Sequence, residues 1–246
     1  MIDVCVLGPS GKMGRALIEA AKAGDELRVA STVDLGEDMA AGLAKAQVYI
    51  DFTAPDGTRA AAKAALARKT PAVIGTTGLG EAHERAIAEL AKVAPVVVAA
   101  NFSLGVNLVL GLVKQAAKVL GPDWDAEVVE THHKAKRDAP SGTALAIARA
   151  IADGRGVEYD RVKRHTRDGD VGARPRGEIG VASVRGGDVV GEHTAYFFGA
   201  AERIEISHRA TNRTIFAAGA LKAAAWVVGK PPGRYDMLDV LGFAGP

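Results

Sequence analysis

At 246 residues, 48% hydrophobic and 24% charged, the chain is long enough for one large or two modest domains with real cores and too apolar to be disordered. Lysine plus arginine number 31 against 29 aspartate plus glutamate, so no global field argues for nucleic acid or an anionic membrane as partner. The single cysteine, Cys5, excludes an internal disulfide framework and, set in an apolar strand, reads as a buried, inert thiol. No apolar run approaches the length of a membrane span and no signal-peptide pattern precedes the first strand, so a soluble cytoplasmic protein is expected.

In chain order, an apolar strand over 4–7 runs at once into Gly8-Pro9-Ser10-Gly11-Lys12-Met13-Gly14 and a helical stretch over 15–23. The spacing G-x-x-G-x-x-G is a relative of the dinucleotide fingerprint, in which glycines permit a tight turn and close approach of backbone to pyrophosphate. Alone it also fits a turn that holds no ligand. A second strand, 27–33, ends in Asp34, twenty residues after Gly14, where an acid can bind ribose hydroxyls. A short connection leads to a third strand, 48–52, which ends in Phe52 and Thr53, and a helix follows over 58–68. Strand 72–74 meets Gly75-Thr76-Thr77-Gly78, a helix spans 81–93, and strand 96–100 ends in Asn101-Phe102-Ser103. Strands alternating with helices, each strand closing on glycine, threonine or asparagine, predict a doubly wound parallel sheet of Rossmann type with its ligand edge intact.

A helix over 106–120 is stopped by Gly121-Pro122, and a second domain is entered near Ser103. The alternating stretch 127–131 predicts a strand, and 132–138 a loop carrying His132, His133, Lys134, Lys136 and Arg137. Pro140 biases Ala139 to extended backbone, and Ser141 is a good N-cap for the helix that begins Gly142-Thr143-Ala144. The N–H groups of Gly142 and Thr143 would then face a basic loop, which makes an anion pocket. If the chain from Thr131 is extended, His132 and Lys136 project to one side. Residues 153–178, rich in Gly, Arg and Asp, read as a long mobile loop. Three strands over 179–185, 189–198 and 203–209 predict an antiparallel meander, with His193 and His208 as ordinary strand residues. Without a Cys/His cluster at ligand spacing, no metal site is expected. An apolar helix over 214–228 carries Trp226, and a tail over 235–241 follows.

Glu130, His132, His133, Lys136 and the run Asp138 to Ala144 compose the pattern E-x-H-H-x-x-K-x-D-A-P-S-G-T-A, which resembles the signature of the 4-hydroxy-tetrahydrodipicolinate (dihydrodipicolinate) reductase family of lysine and diaminopimelate synthesis. Gly75 to Gly78, Asn101 to Ser103 and Gly187 to Thr194 also resemble family motifs, so the likeness covers nearly the whole chain. It implies an N-terminal Rossmann-type domain over 1–102 and 213–246, and an α+β substrate-binding and oligomerisation domain over 103–212 with a mostly antiparallel sheet. By the same resemblance, the cofactor is held by Gly8, Pro9, Ser10, Gly11, Lys12, Met13, Asp34, Phe52, Thr53, Gly75, Thr76, Thr77, Ala99, Ala100, Asn101 and Phe102. His132 and Lys136 are the implied catalytic pair. His133, Ser141, Gly142 and Thr143 are the implied grip on a cyclic dicarboxylate. Relatives that use the phosphorylated cofactor often carry an arginine where Leu35 stands, so NADH is expected, with NADPH accepted through Lys12. The family also suggests a homotetramer. Among rivals, a serine hydrolase lacks its G-x-S-x-G elbow around Ser141. A non-catalytic nucleotide sensor needs no proton donor beside an anion pocket, and the Asp138 to Ala144 segment argues against other amino-acid dehydrogenases.

Overall fold

The computed structural model of the chain describes residues 1–243. Its N-terminal part alternates β1 (Ile2–Leu7), α1 (Lys12–Lys22), β2 (Leu27–Val33), α2 (Met39–Leu43), β3 (Val48–Asp51), α3 (Pro55–Leu66), β4 (Ala72–Ile74), α4 (Glu81–Ala91) and β5 (Pro95–Val98). β3 and β4 are buried along their whole length, the pattern of strands covered on both faces. The five strands pair in parallel in the order β5-β4-β3-β1-β2. From β1 the chain steps out to β2, then returns to the other side of β1 for β3, which opens a crevice at the carboxyl ends of β1 and β3. α3 begins earlier than expected, because Pro55 at its first turn has no N–H to leave unpaired and a φ already suited to helix.

α5 (Leu104–Leu120) and a following 3-10 turn (Gly121–Asp123) draw Leu104–Asp123 into a single helical run of 20 residues with mean hydropathy 1.3. By length and composition that run reaches membrane-span size, contrary to the reading of the sequence. The physical reason is packing: Val109, Val113 and Ala117 are buried in a core with α6 (Gly142–Arg155) and one face of a sheet. That sheet contains β6 (Asp125–His132), and after α7 (Tyr159–Val162) come β7 (Lys163–Arg164), β8 (Ile179–Arg185), β9 (Gly191–Phe198) and β10 (Arg203–Ala210). It is mixed and mostly antiparallel, in the order β10-β9-β6-β8-β7.

The expected meander is corrected here. β9 runs antiparallel to β6 and β10, but β8 lies parallel to β6 on its other side and does not pair with β9. The turn between β8 and β9 gives its hydrogen bonds to the chain leaving β6 instead: Gly186 N–H donates to His132 O (3.0 Å), His133 N–H to Val189 O (2.8 Å) and Lys134 N–H to Gly187 O (3.2 Å). The long loop expected over 153–178 is also shortened. Helix continues to Arg155, α7 follows, and the remainder is strapped to the sheet. Arg167 holds Glu127 (3.0 and 2.7 Å) and Glu178 (2.5 Å), while Arg174 holds Asp125 (2.6 Å), Glu127 (3.1 Å) and the carbonyl oxygens of Ala126 and Glu178 (3.0 and 2.6 Å). A Cβ on Gly180 would lie 1.8 Å from Glu127 Oε2, so only glycine opposite Glu127 leaves that carboxylate room. The segment lacks periodicity because guanidinium–carboxylate pairs anchor it in place of apolar side chains.

The chain then returns through α8 (Thr214–Val227), β11 (Gly233–Tyr235) and α9 (Met237–Val240). β11 adds a sixth parallel strand beside β5. α8 lays Ala217, Ala220, Ala223, Ala224 and Val227 into the core beneath β1, β3 and β4, and a Cβ on Gly219 would fall 1.7 Å from Phe102 O. Two compact units result: Met1–Leu104 with the chain from Thr214, and Gly105–Arg213.

Candidate active site

In the first unit, the strand ends singled out from sequence meet along the carboxyl edge of the parallel sheet. Gly8 has φ +66°, and a Cβ on Gly14 would sit 2.1 Å from Gly8 O, so α1 can follow β1 this closely only with glycine at both positions. Gly11 is the N-cap of α1 and brings no side chain, which leaves the first-turn N–H groups around Lys12 and Met13 without a side-chain cap. A Cβ on Gly8 would meet Thr53 Cγ2 at 3.0 Å, so the turn after β3 stands against the turn after β1. Asp51, fully buried, braces that turn by accepting from Thr53 N–H (2.9 Å), Thr53 Oγ1 (2.6 Å) and Thr58 Oγ1 (2.5 Å). Gly75 makes room for the Phe52 ring, which packs edge-on to Phe102 at 5.3 Å. Thr76 is buried, and its Oγ1 has no hydrogen-bond partner among the described residues. Thr77, Ala99, Ala100 and Asn101 continue the same edge beyond β4 and β5, where Asn101 Oδ1 accepts from Ser103 N–H (2.8 Å).

Asp34 ends β2. The Ser10 hydroxyl reaches it from the glycine turn and Leu35 N–H donates at 2.9 Å, and together they hold its carboxyl below the usual carboxylate range. Its own N–H donates to Glu37 Oε2 at 2.8 Å, which folds a second carboxylate into the turn. Glu37 escaped the reading of the sequence because nothing in its spacing marks it.

In the second unit, β6 continues through His132, one residue beyond the predicted strand, and its alternation turns Ala126, Val128, Glu130 and His132 toward the helices. Glu130 is wholly buried and accepts from donors alone. Oε2 takes His132 Nδ1 (2.5 Å) and Arg185 Nη1 (2.8 Å); Oε1 takes Arg185 Nη2 (2.8 Å) and Ser141 N–H (3.1 Å). Burial by itself would raise this carboxyl, and it is the largest single effect. Hydrogen bonds from Arg185, His132, Ser183 and Ser141 together outweigh it and bring the pKa down to about 2. The ionised Glu130 therefore fixes the His132 tautomer with the proton on Nδ1 and leaves Nε2 for other chemistry. Gly191 keeps that atom accessible, since a Cβ there would lie 2.9 Å from Nε2.

After His132 the chain does not stay extended. Lys136 N–H donates to His133 O (3.0 Å) across a tight turn, so the shared parity expected of His132 and Lys136 does not arise. Lys136 Nζ instead holds both oxygens of Asp138 at 2.9 Å, and its charge and hydrogen bonds keep the Asp138 carboxyl low. His133 is half-buried in the turn itself. Ser141 caps α6 by accepting from Ala144 N–H at 3.1 Å, and its Oγ also meets His193 Nε2 at 3.0 Å. Gly142 and Thr143 form the first turn, and a Cβ on Gly142 would meet nothing within 4 Å, so the helix start opens onto free space. Sequence analysis missed Arg185 and His193. Both lie on strands whose register with β6 cannot be read from spacing, although the alternation of β9 does put His193 on one face with Ala195 and Phe197.

The family profile described as Dihydrodipicolinate reductase, N-terminus, matches residues 2–102, and the profile described as Dihydrodipicolinate reductase, C-terminus, matches residues 105–241. The chain belongs to the dihydrodipicolinate reductase family. Among curated relatives, the 4-hydroxy-tetrahydrodipicolinate reductases of Alkalilimnicola ehrlichii and Caulobacter vibrioides are 45% and 46% identical. The alignments cover 97% and 98% of this chain and 98% of each relative. A dipicolinate-bound dihydrodipicolinate reductase from Paenisporosarcina sp. TG-14 superposes with TM-score 0.79 at 26% identity, over 97% of this chain and 98% of that one. A probable dehydrogenase from Thermotoga maritima, at 13% identity and TM-score 0.61, shares the fold alone. The glycine turn and the E-x-H-H motif thus fall one in each profile and one in each compact unit, although the C-terminal profile runs on through α8 and α9 of the first unit.

Proposed function

We propose that the chain reduces 4-hydroxy-tetrahydrodipicolinate to tetrahydrodipicolinate with NAD(P)H in lysine and diaminopimelate synthesis. Full-length similarity to curated reductases of that name carries the reading, and the buried Glu130–His132 couple beside the α6 N-terminus supports it. The residues along the β-sheet edge fit a dinucleotide, because the uncapped α1 N-terminus offers backbone donors to a pyrophosphate and the glycine turn lets it approach. When bound, the nicotinamide supplies hydride to an electron-poor ring carbon.

This chain's side chains manage charge and protons. Ser141, Gly142 and Thr143 hold one ring carboxylate at the helix start, with His133 adding a donor. Lys136 exchanges Asp138 for a substrate carboxylate and supplies its countercharge, or serves as a second donor. His132, with Nδ1–H held by Glu130, takes up a proton from solvent on Nε2 and passes it to the reduced ring, returning to the Nδ1–H form. NADH is the preferred cofactor: Asp34 and Glu37 put two carboxylates in the turn after β2, which would repel a 2′-phosphate, and the exposed Leu35 adds no cation. Exposed Lys12 still admits NADPH.

Copies of the chain pack on the sheet face turned away from α5 and α6, and four of them assemble as a homotetramer. That face carries the stacked Tyr196–Phe198 pair (5.6 Å) and the exposed Val184. A cytoplasmic location goes with this chemistry, since a charged dinucleotide and a dicarboxylate do not cross a bilayer unaided. The test is loss of reduced-nicotinamide absorbance with freshly generated substrate and NADH or NADPH in parallel. Folded protein that binds dinucleotide yet consumes neither would overturn the assignment.

A further inference from the structure

His193 is 4% exposed and lies on β9 opposite Glu130 of β6 and His208 of β10. Its Nε2 is 3.0 Å from Ser141 Oγ, whereas its buried Nδ1 has no hydrogen-bond partner among the described residues. Ser141 Oγ also accepts from Ala144 N–H at 3.1 Å. These contacts admit two neutral tautomers. With the proton on Nδ1, a buried N–H would be left without an acceptor, the rarer and costlier kind of orphan; with the proton on Nε2, only a lone pair is unmet.

We propose that His193 is a positioning residue of the substrate pocket: protonated on Nε2, it donates to Ser141 Oγ and so turns the serine's only hydrogen toward the substrate carboxylate. Two donors, His193 Nε2–H and Ala144 N–H, fill both lone pairs of the hydroxyl oxygen, and its O–H must leave in the remaining tetrahedral direction. Surroundings keep the ring neutral. Burial is the largest effect and the neighbouring His132, with rings 5.1 Å apart and edge-on, the next; Glu130 opposes them, His208 and Lys136 add to them, and the pKa comes down to about 4. Gly191 provides the space, because a Cβ there would lie 2.9 Å from His132 Nε2 and 3.7 Å from His193 Cε1.

The inference rests on the reductase reading, and one probe separates the two. Dipicolinate, the compound bound in the Paenisporosarcina structure, is titrated calorimetrically into wild type, His193→Asn and His193→Gln, each saturated with NADH. Gln carries an amide N–H to the position of Nε2, and Asn does not reach it. Expected are dipicolinate affinity and substrate KM weakened tenfold or more in H193N, with kcat and NADH affinity changed less than threefold, and recovery to within threefold of wild type in H193Q. Nitrogen-detected histidine spectra of wild type should show the Nε2–H tautomer at neutral pH. Unchanged dipicolinate affinity in H193N, or an Nδ1–H tautomer, would overturn the role of His193. Failure of wild type itself to bind dipicolinate or turn over substrate would overturn the reductase reading, while the tautomer would still decide the hydrogen bond.

Discussion

Replacing Glu130 by glutamine removes one charge and almost no volume, and every partner of that carboxylate is a donor. Oε2 serves His132 Nδ1 and Arg185; Oε1 serves Arg185 and Ser141 N–H. Whichever way the new amide turns, its NH₂ faces two donors, so either His132 moves away or its Nδ1 gives up the proton. The fall from an ordinary 4.5 to about 2 corresponds to roughly 3 kcal/mol of stabilisation of the ionised form. Breaking a buried ion pair costs about 3–5 kcal/mol, and the partial exposure of Arg185 (21%) favours the lower end. Glu130→Gln should therefore unfold in urea with about 3 kcal/mol less stability. It should also lose about 10²–10⁴-fold in kcat, the usual contribution of a positioned acid. Initial rates at saturating NADH give the second figure, and NADH affinity, expected to be unchanged, shows that the nucleotide edge is intact. A variant with kcat within threefold of wild type would refute the view that Glu130 orients the proton donor.

Gly191→Ala places a methyl 2.9 Å from His132 Nε2; it should lower kcat about tenfold and cost about 1–3 kcal/mol on urea unfolding, as overpacking does. Leu35→Arg supplies the missing cation beside Asp34 and should shift the kcat/KM ratio of NADPH over NADH upward by about tenfold, measured in paired rate assays. Acid should destabilise the chain in two windows. Below pH 6.5 the unfolded state protonates His193 while the folded state stays neutral until about 4, so stability falls as pH drops across that range, by roughly 3 kcal/mol. Glu130, ionised in the fold down to about 2, adds a similar loss between pH 4.5 and 2. Urea unfolding at stepped pH measures both, and H193Q should abolish the upper window alone.

Local pattern settled much of this protein. The first five parallel strands follow from short apolar runs that alternate with amphipathic helices, and the nucleotide edge from glycines at the ends of those runs, because both depend on neighbours in the chain. Ser141 as cap of α6 is equally local: a hydroxyl three residues before the N–H it accepts. What depended on pairing partners far along the chain was decided by tertiary structure alone. β8 and β9 flank β6 and do not pair with each other, since the turn between them bonds to the chain after His132. Arg164, Arg167 and Arg174 hold carboxylates on β6 and just before β8, contacts between residues with no fixed spacing. Glu130 and His132 share a strand face by simple alternation, legible in the sequence; that Arg185 and His193 complete their surroundings required the register of β6 with β8 and β9, which only the folded sheet specifies.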